Sequence, residues 1–430
     1  MKYQVEKLIE DTSKRITNDA VSHKKLVRKI YFIKEKKWYE FYKPDDLGDY
    51  APFIVEAERN TNFAKEQYIL WDKHKIEGIP YPLFKHPIPH LLESKYVDDY
   101  LQGLTVIYAA TKDKFFLDKG ISMSKIAIKK LMQKNGMFAA VKIPFIHKTM
   151  STAFSPLHPD MSKLKFYYCP VANGVIAEKL IDLGVYGSEK KLIDAGRKCI
   201  DSWLKTKTFK KYNLFPDYTG IKDSEKCNLM KSNSSLGFAL IRSIKVDNNQ
   251  EHKKALFLLL EELSKNYICE NGVVNLFIPS KNIKGKFSVI ATQAYCRLLL
   301  STSTLGYPEL EEKAKIIAFK VANKAFLSKE NNEIKSSFIE DDGQGDFAIL
   351  LMILDKKREY KELLKKIYED MINKYYLGNG LWRDYCIDTM QQTAHSKYLG
   401  GVLKYLLCYQ AYLNDEDLSN EKWQYISQDR

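Results

Sequence analysis

Seven strongly apolar runs of helical length recur along the chain, at 50–57, 100–110, 171–183, 236–244, 289–300, 347–354 and 398–413. With so few charges, each predicts a helix buried on most sides. Between the runs lie segments at 62–75, 122–134, 188–205, 251–266, 308–325 and 357–374, whose apolar residues recur every three or four positions among lysines and glutamates. These predict helices with one wet face. Residues 3–31 share that character without an apolar run before them, while 398–413 has no wet partner after it.

Turns close the units. Glu77-Gly78-Ile79-Pro80-Tyr81, Asn135-Gly136-Met137-Phe138, Tyr212-Asn213-Leu214-Phe215, Asn271-Gly272-Val273-Val274, Asn331-Asn332-Glu333-Ile334 and Gly378-Asn379-Gly380-Leu381-Trp382 place Gly or Asn after a helix. A left-handed residue there ends the helix. Lys36-Lys37-Trp38-Tyr39 predicts a seventh turn that lacks its glycine. A unit of two helices and a turn, repeated along the chain, marks a repeat architecture. An open solenoid needs polar caps at both ends, yet the last run is among the most apolar. Pairing 3–31 with 398–413 instead closes a ring. The expected fold is therefore all-α: an α/α toroid of about six to seven helical hairpins, an inner ring of helices inside an outer ring, with 1–430 as a single domain.

This periodicity, with aromatic turns such as Asn379-Gly380-Leu381-Trp382, resembles the α/α-toroid superfamily of six- and seven-hairpin glycosidases, sugar epimerases and polysaccharide lyases. The resemblance spans nearly the whole chain and is architectural. It implies a carbohydrate-active enzyme with an oligosaccharide or polysaccharide substrate. Lanthionine-synthetase-like cyclases are also toroids, but they use a Cys/Cys/His zinc set that has no recognisable counterpart here.

Composition narrows the chemistry. With 430 residues and 45% hydrophobic content the chain can bury a large core, which excludes disorder as its main state. Lys and Arg number 68 against 54 Asp and Glu, a formal charge of +14. Only nine of the basic residues are arginines, and the lysines alternate with glutamate as on solvated helix faces, so no nucleic-acid partner is expected. The surplus favours an anionic over a neutral glycan. The charged N-terminus has no apolar leader core, and no run approaches the roughly 18 apolar residues of a membrane span, so a cytoplasmic protein without membrane contact is expected. Seven cysteines without CxxC spacing point to small buried hydrophobes rather than disulfides or a metal centre. Phosphate-binding loops, GxSxG and HExxH are absent, and no cofactor or metal is expected.

In a ring, the segments entering the inner helices converge on one mouth. Acidic residues concentrate there on the first unit (Asp45-Asp46-Leu47-Gly48-Asp49), the second (Asp98-Asp99) and the sixth (Glu340-Asp341-Asp342-Gly343-Gln344-Gly345-Asp346), with Gln391-Gln392-Thr393-Ala394-His395 on the seventh between them. Two carboxylates across a cavity, one neutral and one ionised, suit glycoside hydrolysis. The catalytic candidates are Asp49, Asp341, Asp342 and His395. Asp98, Asp346, Arg383 and Gln392 are candidates to bind substrate, and Trp38, Tyr50, Tyr100 and Trp382 to stack on sugar rings. An inverting hydrolase needs carboxyls about 6.5–9.5 Å apart.

Competing readings attach to the same residues. Asp46, Asp49, Asp99 and Asp346 sit where helix caps sit. An epimerase or lyase of uronic-acid sugars would use His395 or a tyrosine as base and Arg383 for the carboxylate. A non-catalytic scaffold would use the aspartates as caps only. Asp45-Asp46-Leu47-Gly48-Asp49 also matches the DDxxD string of isoprenoid synthases, but its glycine places it in an expected loop rather than on a helix.

Overall fold

The computed structural model describes residues 2–84, 92–139, 141–142, 168–219, 227, 232–269, 272–273, 288–327, 344–383 and 393–419. Seven helices form its inner layer: Asp46–Glu58, Lys95–Thr111, Pro170–Tyr186, Ser234–Asp247, Val289–Ser303, Gln344–Leu354 and Ser396–Leu413. Each packs on the next, and the seventh packs on the first, so the ring is closed. The outer helices are Lys2–Lys14, Asn62–Asp72, Lys114–Lys130, Lys190–Leu204, Gln250–Tyr267, Glu309–Ala322 and Lys361–Tyr375. The fold is the expected α/α toroid.

Burial follows the apolar pattern. Ten of the eleven residues of Gln344–Leu354 are buried, whereas Lys361–Tyr375 buries one stripe of Leu363, Leu364, Ile367, Tyr368, Met371 and Tyr375. The left-handed turn positions are also where the sequence put them, at Gly78, Gly136, Asn213, Gly378, Asn379 and Gly380. In the turn without a glycine, Lys36 itself takes the left-handed conformation. Several of these turns are two-stranded hairpins, such as Lys75–Ile76 with Ile79–Pro80 and Tyr376–Gly378 with Leu381–Trp382.

The first segment departs from expectation. Its helix stops at Lys14, passes through a short π-helical stretch at Arg15–Asp19, and gives way to a strand at Ile30–Phe32. That strand pairs antiparallel with Thr393–His395, joining the first unit to the seventh. Three further contacts close the same seam. Helix Lys2–Lys14 packs on Ser396–Leu413. Trp382 Nε1 donates to Thr12 Oγ1 at 2.9 Å, with both residues buried. Gly400 lies so near the first inner helix that a Cβ there would stand 2.4 Å from the Asp49 carbonyl oxygen.

The first, second and seventh inner helices run parallel, and the two ends of the barrel show it. The starts of the first, second and seventh bring Asp45, Asp98 and Lys397 into one electrostatic group. Their far ends, including Glu58, Thr111 and Asn414, line a common cavity of about 1200 Å³ at the other end.

Candidate functional site

Two glycines weld the acidic part of the mouth. A Cβ on Gly48 would meet the Asp99 carbonyl oxygen at 1.9 Å, and one on Gly103 would meet Gly48 Cα at 2.7 Å. The first and second inner helices therefore touch backbone to backbone, which sets Asp45, Asp46 and Asp49 beside Asp98. The string at 45–49 is not a loop, which corrects the sequence reading: the helix starts at Asp46 and Asp45 occupies the position before it. Asp45 makes no side-chain cap bond, so capping does not account for it.

Lysines account for these carboxylates better. Lys29 Nζ lies 3.1 Å from Asp46 Oδ1, Lys43 Nζ 3.1 Å from Asp45 Oδ2, and Lys397 Nζ 3.2 Å from Asp49 Oδ2. Deeper in the barrel, Lys404 Nζ lies 2.6 Å from Asp346 Oδ1. Being on a helix, the DDxxD-like string no longer fails on the ground given from sequence. It differs from a magnesium site in that each of its carboxylates already carries an ammonium. Among the described residues no group of three His, Cys, Asp or Glu side chains could hold a metal ion.

Asp98 is the exception. It is 2% exposed, and among the described residues no lysine or arginine stands at ion-pair distance from it. Its Oδ1 accepts a hydrogen bond from the Asp99 amide at 2.7 Å. Burial, reinforced by the negative charge of Asp45 and opposed by that amide, Lys95 and Lys397, pushes its carboxyl up to about 8. Burial also acts on Asp45, but there Lys43, Lys29 and Lys397 outweigh it and hold the carboxyl below its ordinary value. Asp46 is pushed up by its complete burial and by Asp45, with Lys29 and Lys43 opposing. Two aspartates at the starts of adjoining inner helices, each within the other's electrostatic reach, thus differ in protonation near neutral pH: Asp98 is held as the acid and Asp45 as the carboxylate.

The other candidates divide. His395 ends the strand at the start of the seventh inner helix, half-buried, with its ring 5.2 Å from Tyr398. Two residues on, Lys397 joins the aspartates, so His395 shares their rim. Asp346 pairs with Lys404. Arg383 sits at the end of the last hairpin, its amide bonded to the Tyr375 carbonyl at 2.9 Å. Asp341, Asp342 and Gln392 lie outside the described residues.

The aromatic candidates need correction. Tyr50 and Tyr100 are buried, and Tyr100 meets the Tyr68 ring edge-on at 4.8 Å, so neither ring offers a face to a sugar. Trp382 is a ring-closing core residue through Thr12. Trp38 packs edge-on against Tyr31 at 5.3 Å and is partly buried. Of the cysteines whose burial is described, Cys199, Cys227, Cys296 and Cys408 are buried and Cys169 is half-buried.

Sequence reasoning missed Lys29, Lys43, Lys397 and Lys404 because lysine was read as wet surface, and Arg297 because it lies inside a run read only for its apolar residues. A signal was present for two of them. Lys404 and Arg297 interrupt apolar inner-helix runs, and a charge embedded in such a run has the barrel interior as its polar destination.

No known family profile matches the chain, and no curated protein sequence does. Solved structures do. A D-mannose isomerase matches at a TM-score of 0.57 with 10% identity, over 96% of this chain and 98% of that one. A glycoside hydrolase family 76 mannosidase from Bacteroides thetaiotaomicron matches at 0.52 and 11%, over 96% and 99%. An α-1,6-mannanase from Salegentibacter, inactivated by alanine at two adjacent aspartates and bound to α-1,6-mannotetrose, matches at 0.52 and 10%, over 95% and 99%. At such identities the likeness is one of fold, and together with the closed double ring it shows that this chain is an α/α toroid.

Proposed function

We propose that the protein is a carbohydrate-active enzyme, a glycoside hydrolase whose acid is Asp98 and whose carboxylate is Asp45. The observation that carries this is the split between them: adjoining inner helices hold one aspartic acid neutral and one aspartate ionised. A hydrolase uses such a pair to protonate the leaving oxygen and to activate water or stabilise positive charge on the sugar. Asp49, one helical turn beyond Asp45 and held by Lys397, is placed to bind sugar hydroxyls. Adjacent aspartates at inner-helix starts, Asp45-Asp46 and Asp98-Asp99, add support, since the similar α-1,6-mannanase was inactivated at two adjacent aspartates. The test is release of reducing sugar from neutral and uronic-acid oligosaccharides by the wild type, Asp98→Asn and Asp45→Asn. Hydrolysis by the wild type and its loss in both variants is expected; turnover retained in both would reject the assignment.

A second reading rests on His395 and on the likeness to a mannose isomerase. An isomerase or epimerase would use the imidazole to remove a proton next to a carbonyl or carboxylate. Deuterium incorporation into a monosaccharide in D2O, lost in His395→Asn, would favour it; hydrolysis undiminished in His395→Asn favours the first reading.

A further inference from the structure

Arg297 is the ninth residue of Val289–Ser303, an otherwise uncharged inner helix. Cys296 and Tyr295 face the outer layer, where they interact with Lys313 and Ser264. Two positions beyond Tyr295 is about 200° around an α-helix, which turns Arg297 toward the barrel axis. Gln293, one turn nearer the mouth, shares that face and is also buried. Lys404 reaches the same interior. Its Nζ contacts Asp346 of the sixth inner helix on one side and lies 5.7 Å from the Phe53 ring of the first on the other. Cys408, one turn beyond Lys404, is influenced by Lys404, Arg297, Asp346 and Glu56 together.

The other buried charges of the barrel interior come with partners. Lys179 and Arg242 share Glu178 and Asp182 at 3.2–3.6 Å, and Lys404 has Asp346. Arg297 does not. It is 6% exposed, and among the described residues its buried Nη2 has no hydrogen-bond partner and no carboxylate lies at ion-pair distance. A guanidinium without a counter-charge is costly to bury, and burial persists where something else offsets it. Its planar donor fork fits a carboxylate or phosphate. By helical rise it lies five residues, about 7.5 Å, deeper from its helix start than Asp98 does from its own.

We propose that Arg297, with Lys404 beside it, receives an anionic group of the ligand, so that the substrate is a sugar bearing a carboxylate or phosphate whose uncharged end meets Asp98 and Asp45. This rests on the carbohydrate reading of the mouth. The geometry makes Arg297 a binding residue that the free protein holds at a cost to its own stability.

Two measurements test it on the full chain. Calorimetric titration compares glucuronate and mannuronate, and the 6-phosphates of glucose and mannose, with neutral glucose and mannose. The wild type is expected to bind an anionic sugar at least tenfold more tightly than its neutral counterpart, and Arg297→Met to lose that preference. A carboxylate-only or a phosphate-only preference identifies which anion the site takes. Thermal melting gives the second readout: Arg297→Met should melt higher than wild type, because an uncompensated buried charge has been replaced by an apolar chain. No anionic preference in the wild type, including no binding of either form, overturns the proposal, as does a lower melting temperature in the variant. Anion preference retained in Asp98→Asn while turnover is lost supports both assignments. Anion preference confirmed with turnover intact in Asp98→Asn leaves Arg297 in place and removes the acid–base reading.

Discussion

Asp98→Asn replaces a carboxylic acid with an amide of nearly the same shape, and the consequences can be worked from the structure. Displacement of the carboxyl from 3.8 to about 8 makes ionisation in the folded state unfavourable by on the order of 5 kcal/mol. Between those values the folded protein binds a proton that the unfolded chain has released. The sign follows: stability attributable to Asp98 is full below about pH 4 and is lost progressively as pH rises toward 8. Asparagine has no such dependence. The variant should match wild type near pH 4 and become the more stable protein by pH 8, with a gap on the order of 1–2 °C of melting temperature per kcal/mol. Asp46, also pushed up, contributes a slope of the same sign to both proteins and cancels in the comparison. Turnover should fall about 100-fold or more at every pH, since a positioned acid contributes roughly that much. The assay is a pair of melting curves from pH 4 to 9 with rates on the best glycan. Parallel stability profiles in the two proteins would refute the claim that Asp98 is held neutral.

Other outcomes follow from the same geometry. Gly48→Ala would drive a Cβ to 1.9 Å from the Asp99 carbonyl oxygen; separating two inner helices should cost about 1–3 kcal/mol or more in denaturant unfolding and lower activity with it. Trp382→Phe removes the donor to Thr12 across the ring seam and should cost about 1–2 kcal/mol, read as a lower urea midpoint at unchanged slope. Lys397→Met removes a cation that holds Asp45 down and also lowers Asp98, so both limbs of the pH–rate profile should move upward, whereas Lys397→Arg should leave them near their wild-type positions.

The fold was legible because burial of a helix is written in its composition. The seven apolar runs and six amphipathic segments require an inner and an outer layer, and an apolar last run next to an amphipathic first segment requires a closed ring. Turn positions were legible for a similar local reason, down to a seventh turn where Lys36 adopts the left-handed conformation itself. The acidic mouth was visible as a concentration of aspartates on particular units. Their roles were not, since a carboxylate's protonation depends on which charges stand within a few ångströms. Lys29, Lys43 and Lys397 come from the bend before a strand, a loop and the opposite end of the chain. Local folding of the first unit sets Lys29 and Lys43 beside Asp46 and Asp45, but only the closure of the ring brings Lys397 to Asp49, and among the described residues it leaves no lysine or arginine at ion-pair distance from Asp98. Tyr50, Tyr100 and Trp382 show the same limit in reverse: an aromatic near a mouth sequence and an aromatic in the core read alike until packing decides which faces are covered. Sequence determined the two layers and their order through local periodicity. Tertiary structure decided which carboxylate keeps its proton and which cation has no counter-charge among the described residues, because those are sums over neighbours that the linear order does not contain.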